Sequence, residues 1–217
     1  EPAPARVTTK PAAAAAAATA RASELRQFVG TSTMVVMPPE SQWAPFVEIK
    51  RKHLNPKIKR PPYPHITLLA PFVPVKLFDS AASALRSSLR AFEPFRVTLA
   101  EFKLFDHGHG CTLYLDPVTE PAGSLERLFD VCAQSFPEWH GHGFEAHIGV
   151  GLIKPKAEAE RLRQLYQSTW TPLTFICKEV YFESKDGDDE SIPWEVRRVV
   201  PLGPDSGETP PNFIPKP

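Results

Sequence analysis

The chain has 217 residues, 42% of them apolar and 23% charged, which is enough apolar content for a core and excludes wholesale disorder. Lys+Arg and Asp+Glu number 25 each, so the formal net charge is zero; attraction of nucleic acid by overall charge is excluded, while a local basic patch is not. There is no apolar run of about 18 residues, which excludes a transmembrane helix, and three scattered cysteines (Cys111, Cys132, Cys177) make no disulfide framework or zinc knuckle.

Residues 1–24 are low in complexity, with a seven-alanine run and no acid between Glu1 and Glu24. They read as a linker from a larger protein, through which a larger complex would form, or as the remnant of an organellar targeting peptide. Thr31–Met37 is β-branched and apolar, a buried strand. Pro39 and Glu40 open a helical stretch bearing Trp43, Phe46, Val47 and Ile49. Pro64–Phe72 is the next strand, residues 77–92 the next helix, and Phe95–Phe105 alternates at period two as a half-buried strand does. His107–Gly110 turns the chain. The order then recurs: a strand at Cys111–Leu115, a helix at Ser124–Phe136, a strand at Phe144–Ile153 and a helix at 157–167. Leu173–Glu183 and Pro193–Pro201 are two final strands around an acidic loop. Six prolines from Pro201 to Pro217 make residues 204–217 an extended tail, so the folded domain spans 25–203.

Strand starts Thr31 and Cys111 are 80 residues apart, and His65 and His147 are 82 apart. These offsets predict an α+β fold of two pseudo-twofold lobes, each with a small antiparallel sheet and flanking helices. The two histidine strands are expected side by side. Two histidines brought together in this way suit general acid–base work at neutral pH. Thr67, two residues after His65, faces the same way and could stabilise charge on a phosphate oxygen. The bland alternative is a pair of structural strand histidines.

Pro64-His65-Ile66-Thr67-Leu68-Leu69-Ala70-Pro71-Phe72 resembles the first motif of the two-histidine (2H) phosphoesterase superfamily, in its 2'-5' RNA ligase-like, cyclic phosphodiesterase branch. Ala146-His147-Ile148-Gly149-Val150-Gly151 resembles that branch's second motif, and Pro193–Gly203 its last strand. The resemblance implies a bilobal fold around a central cleft with both histidines on its floor. It implies a metal-independent hydrolase acting on RNA ends, at 2',3'-cyclic phosphates or 2',5'/3',5' linkages. His65 and His147 would be the acid–base pair and Thr67 a phosphate ligand, with no cofactor. Which histidine is acid and which base stays open.

One departure stands out. Where the family carries a second hydroxyl, this chain has Gly149. Water, the Gly149 N–H, or His140 or His142 could fill the gap, a bulkier group could enter, or the chain could be an inactive RNA- or nucleotide-binding module. Upstream of His65 no acid occurs between Glu48 and Asp79, while Lys50, Arg51, Lys52, Lys57, Lys59 and Arg60 do. Lys59 and Arg60 are candidates for tracking a phosphate backbone; the alternative is a solvated, cation-rich helix end. Tyr63 and Phe72 are candidate stacking platforms for a base, and Arg198 a candidate phosphate clamp. No metal site is expected from the His-Gly-His pairs or from Asp186–Glu190, and no cysteine is a nucleophile. Reduced thiols place the chain in a reducing compartment: cytoplasm, nucleus or an organelle.

Overall fold

The computed structural model describes residues 25–53, 63–141, 143–189 and 192–204. The low-complexity head, the proline-rich tail, Lys57, Lys59, Arg60, His142 and Glu190 lie outside the described residues.

Two four-stranded antiparallel sheets form the frame. The first contains β1 (Ser32–Val36), β2 (Ile66–Leu69), β7 (Glu179–Ser184) and β8 (Glu195–Pro201), in the order β2-β1-β7-β8. The second contains β3 (Phe95–Asp106), β4 (Cys111–Glu120), β5 (Ile148–Ile153) and β6 (Leu173–Cys177), in the order β5-β4-β3-β6. Four α-helices are present among the described residues: α1 (Ala44–His53), α2 (Phe78–Leu89), α3 (Ser124–Gln134) and α4 (Lys156–Thr169). Two of them show a legible reason. In α2 the buried residues Phe78, Ala81, Ala82, Leu85 and Leu89 fall on one helical stripe. In α1 the last turn holds Lys50, Arg51, Lys52 and His53, cations that complement the helix dipole.

The α+β class and the duplicated lobes agree with the sequence reading. Two expectations are corrected. Leu173–Glu183 is not one strand: it breaks at Lys178 into β6 and β7, which belong to different sheets. The inward residues are Phe175 and Cys177 before the break and Val180 and Phe182 after it. That one-residue slip in phase marks the crossing between sheets. The two histidine strands also do not pair with each other. β2 and β5 are each the edge strand of their own sheet.

Their surroundings match closely. In the first lobe Met34 opposes Leu69, Val35 opposes Thr67 and Val36 opposes Ile66. In the second, Leu113 opposes Gly151, Tyr114 opposes Gly149 and Leu115 opposes Ile148. Both ladders therefore carry a bulge at the same place, with Leu68 and Val150 as the extra residues. A bulge bends an edge strand and re-aims the side chains beside it. The helices cross over between lobes: α1, which follows β1, packs on β5, and α3, which follows β4, packs on β2. α2 packs on β8 and α4 on β3. One continuous apolar core results, joining Met34, Phe46, Ile66 and Phe72 of the first lobe to Phe102, Leu113, Leu128 and Ile148 of the second.

Candidate functional site

His65 and His147 each sit one residue before an edge strand, β2 and β5 respectively, and both are half-buried. Pro64 has no N–H to give to a ladder, so the strand begins only after His65. Thr67 follows on the same face and is half-buried.

The His65 side is packed on a small satellite cluster of Val35, Met37, Tyr63, Tyr181 and Val196, with Trp43 and Val199 at its margin. The Tyr63 ring stacks on Trp43 at a centroid distance of 5.0 Å and meets His65 edge-on at 6.3 Å. Lys50 is buried, and its Nζ donates to the Tyr63 carbonyl at 2.8 Å. Glu183 on β7 is 2% exposed. Burial pushes its carboxyl up to about 7, while the facing Tyr63 hydroxyl and the Lys50 charge pull the other way. Neither the Tyr63 hydroxyl nor Glu183 Oε1 has a hydrogen-bond partner of good geometry among the described residues, so the two groups are coupled more by proximity than by a formed bond. Burial, and then the Glu183 charge, also pushes the Tyr63 phenol upward.

The His147 side is aromatic. Phe105 and Tyr114 stack at 4.0 Å, and His147 stands edge-on to both, at 5.1 Å and 5.7 Å. Tyr114 is buried and Phe105 half-buried. His147 Nδ1 donates to the Glu145 carbonyl at 2.8 Å, which fixes the ring and leaves the lone pair of the neutral imidazole on Nε2. Gly149 opens a gap: of the described residues only Thr112 comes within 4 Å of the place its Cβ would take, with Cγ2 at 3.8 Å. Thr112 Oγ1 is in turn 2.9 Å from His107 Nε2.

Several sequence candidates fall elsewhere. Phe72 is fully buried among Phe78, Phe136 and Phe182 and is a core residue, out of reach of a substrate base. Tyr63 is 5% exposed, with one face against Trp43; it supports His65 and offers no platform for stacking. Arg198 opposes Phe182, whose side chain faces the core, and is held by Asp79 of α2 at 3.2 Å, which turns it to the helix side. His140 is not at the Gly149 gap. Lys59 and Arg60 lie outside the described residues. Within the basic stretch, Lys50 is structural and Lys52 pairs with Glu48 at 2.8 Å. Cys111, Cys132 and Cys177 are all buried and free, and burial pushes the Cys132 thiol up to about 12. No group of three or more His, Cys, Asp or Glu is placed to hold a metal among the described residues. No helix among them is long and apolar enough to cross a membrane.

Tyr114 and Thr112 escaped the sequence reading. Tyr114 pairs with Gly149 and Thr112 with Leu152, and Thr112 reaches toward Gly149, a signal that exists only once β4 and β5 are paired.

Comparison with known proteins gives a consistent picture. The model of the 2'-5' RNA ligase superfamily matches residues 38–189. Among solved structures, TT0787 of Thermus thermophilus has a TM-score of 0.56 at 17% identity, covering 79% of this chain and 97% of that one. E. coli LigT in apo form has a TM-score of 0.54 at 15% identity, covering 82% and 99%. E. coli LigT complexed with 3'-AMP has a TM-score of 0.51 at 16% identity, covering 80% and 98%. At these identities the likeness is one of fold. No curated protein matches the chain in sequence.

Proposed function

Because this chain belongs to the 2'-5' RNA ligase superfamily, we propose that it is a phosphodiesterase of RNA ends that works through a His65/His147 acid–base pair without a metal. The substrate would carry a 2',3'-cyclic phosphate or a 2',5'/3',5' linkage. The observation that carries the reading is the repeated setting of the two histidines. Each precedes an edge strand by one residue, and each lies beside a bulge in the same register.

For a cyclic phosphate the bookkeeping is simple. One imidazole takes the proton of a water whose oxygen bonds to phosphorus. The bond from phosphorus to the 2' or 3' oxygen breaks, and the other ring, as imidazolium, gives that oxygen its proton. His147, with Nδ1–H held by Glu145, presents Nε2 for this exchange. Thr67 donates its hydroxyl to a non-bridging oxygen, and the half-exposed ring of Phe105 offers a surface for a base. E. coli LigT has been solved with 3'-AMP and with phosphate, ligands of the class this chemistry requires.

A second reading rests on Gly149, which lacks the hydroxyl of its counterpart Thr67: a module that binds RNA or nucleotides without turning them over. One experiment separates the two. The protein is incubated with a short RNA ending in a 2',3'-cyclic phosphate, with EDTA, beside His65→Ala and His147→Ala. Ring opening by the parent chain that both variants lose supports the enzyme. Binding that weakens with salt, with no ring opening, supports the module.

A further inference from the structure

We propose that Thr112, whose hydroxyl rests against His107 and can turn from it into the Gly149 gap, is the phosphate ligand that takes over from the missing side chain at Gly149. The inference rests on the phosphodiester chemistry above and goes beyond it by assigning a second anion-stabilising group to β4.

Three observations converge. First, the first lobe pairs Thr67 with Val35, and the second pairs Gly149 with Tyr114. The hydroxyl has gone from the edge strand only in the second lobe. Second, the space left at Gly149 is open except for Thr112, whose Cγ2 is 3.8 Å from where a Cβ would sit. An anion that would otherwise stop at a threonine on β5 can settle one side chain deeper, against β4. Third, the Thr112 hydroxyl is already ordered. It lies 2.9 Å from His107 Nε2, on a half-buried side chain two residues from Tyr114, which meets His147 edge-on.

The donor count fits. At rest His107 Nε2 and Thr112 Oγ1 share a hydrogen bond, and once turned into the gap the hydroxyl has one proton to give to a phosphate oxygen. The methyl now faces the gap; one staggered step about χ1 takes the hydroxyl off His107 and into that place, beside the proposed phosphate. His107 is exposed at the β3–β4 turn and holds the hydroxyl only in the resting rotamer.

The test compares turnover of a 2',3'-cyclic nucleotide by the parent chain, Thr112→Val, Thr112→Ser and the double variant Thr112→Val/Gly149→Thr, with His65→Ala and His147→Ala as references. Valine keeps the shape and the β-branch of threonine. Gly149 has no positive φ, and a Cβ there would be at ordinary contact distance, so the backbone accepts a side chain at that position. The expected result is a loss in kcat of about a hundredfold in Thr112→Val with KM little changed. Thr112→Ser should keep most of the turnover, and the double variant should regain most of it. The inference is overturned if Thr112→Val turns over like the parent while the histidine variants are dead, which leaves the proposed function standing. It is also overturned if valine and serine lose activity alike together with thermal stability, which makes the role structural. No turnover by the parent, or turnover that survives both histidine changes, sinks the proposed function and this inference together.

Discussion

At the scale of single residues, Thr67 and Glu183 carry the sharpest predictions. Thr67→Val removes the hydroxyl proposed above as an anion donor and leaves the β-branch, so kcat should fall by about a hundred- to a thousandfold, with Thr67→Ser close to the parent; a turnover assay checks both. Glu183 is an acid with a folded pKa of about 7, above its ordinary 4.5. Such a group favours the native state fully only below the unfolded value, and that contribution is lost as pH rises through 7. The stability difference between the parent and Glu183→Gln should therefore move against the parent between pH 4.5 and 7, by on the order of 3 kcal/mol. Urea melts across that range measure it, and a difference that stays flat would mean Glu183 is not buried as described. His65 and Thr67 stand out as candidates in the sequence because their spacing is local. Phe72 was misassigned for a related reason: the motif reveals that an aromatic follows the strand, but only the packing of Phe78, Phe136 and Phe182 around it decides that it is core.

At the scale of elements, the contact between α1 and β5 is the telling one. A Cβ on Gly151 would lie 2.5 Å from His53 Cβ, so glycine here permits the close approach of helix to strand. Gly151→Ala must push α1 outward. A loss of about 1–3 kcal/mol is expected from overpacking, read as a lower midpoint in urea. Because Lys50 of α1 holds the Tyr63 carbonyl beside His65, the same change should also lower turnover under conditions where the protein stays folded. Strand identity was legible from local features, a β-branched apolar run for β1 and period-two alternation for β3. Strand partnership was not: β6 and β7 read as one run, and only a phase slip at Lys178 betrays that they enter different sheets.

At the scale of the whole molecule, the two lobes are interlocked. β3 lies in the second sheet although it precedes the second repeat, and β7 and β8 return to the first sheet from the end of the chain. A fragment ending at Asp106 therefore leaves β1 without β7, and β3 without β4 and β6. Such a fragment should show no cooperative melt by circular dichroism, whereas the intact chain should unfold in one transition, with tryptophan fluorescence and far-ultraviolet signals coincident. Two separated transitions would show that the lobes fold independently, against the single core.

The sequence was enough for the kind of most elements, the duplication and the choice of the two histidines as candidates, because these follow from short-range periodicity and from motifs only a few residues long. It did not determine that β2 and β5 are matching edges of separate sheets, that Arg198 is turned away by Asp79, or that Thr112 lies against Gly149. Those are relations between residues tens of positions apart. Side-chain alternation says which face a residue takes, while only the register of paired strands and the packing of helices across the lobes say what that face meets.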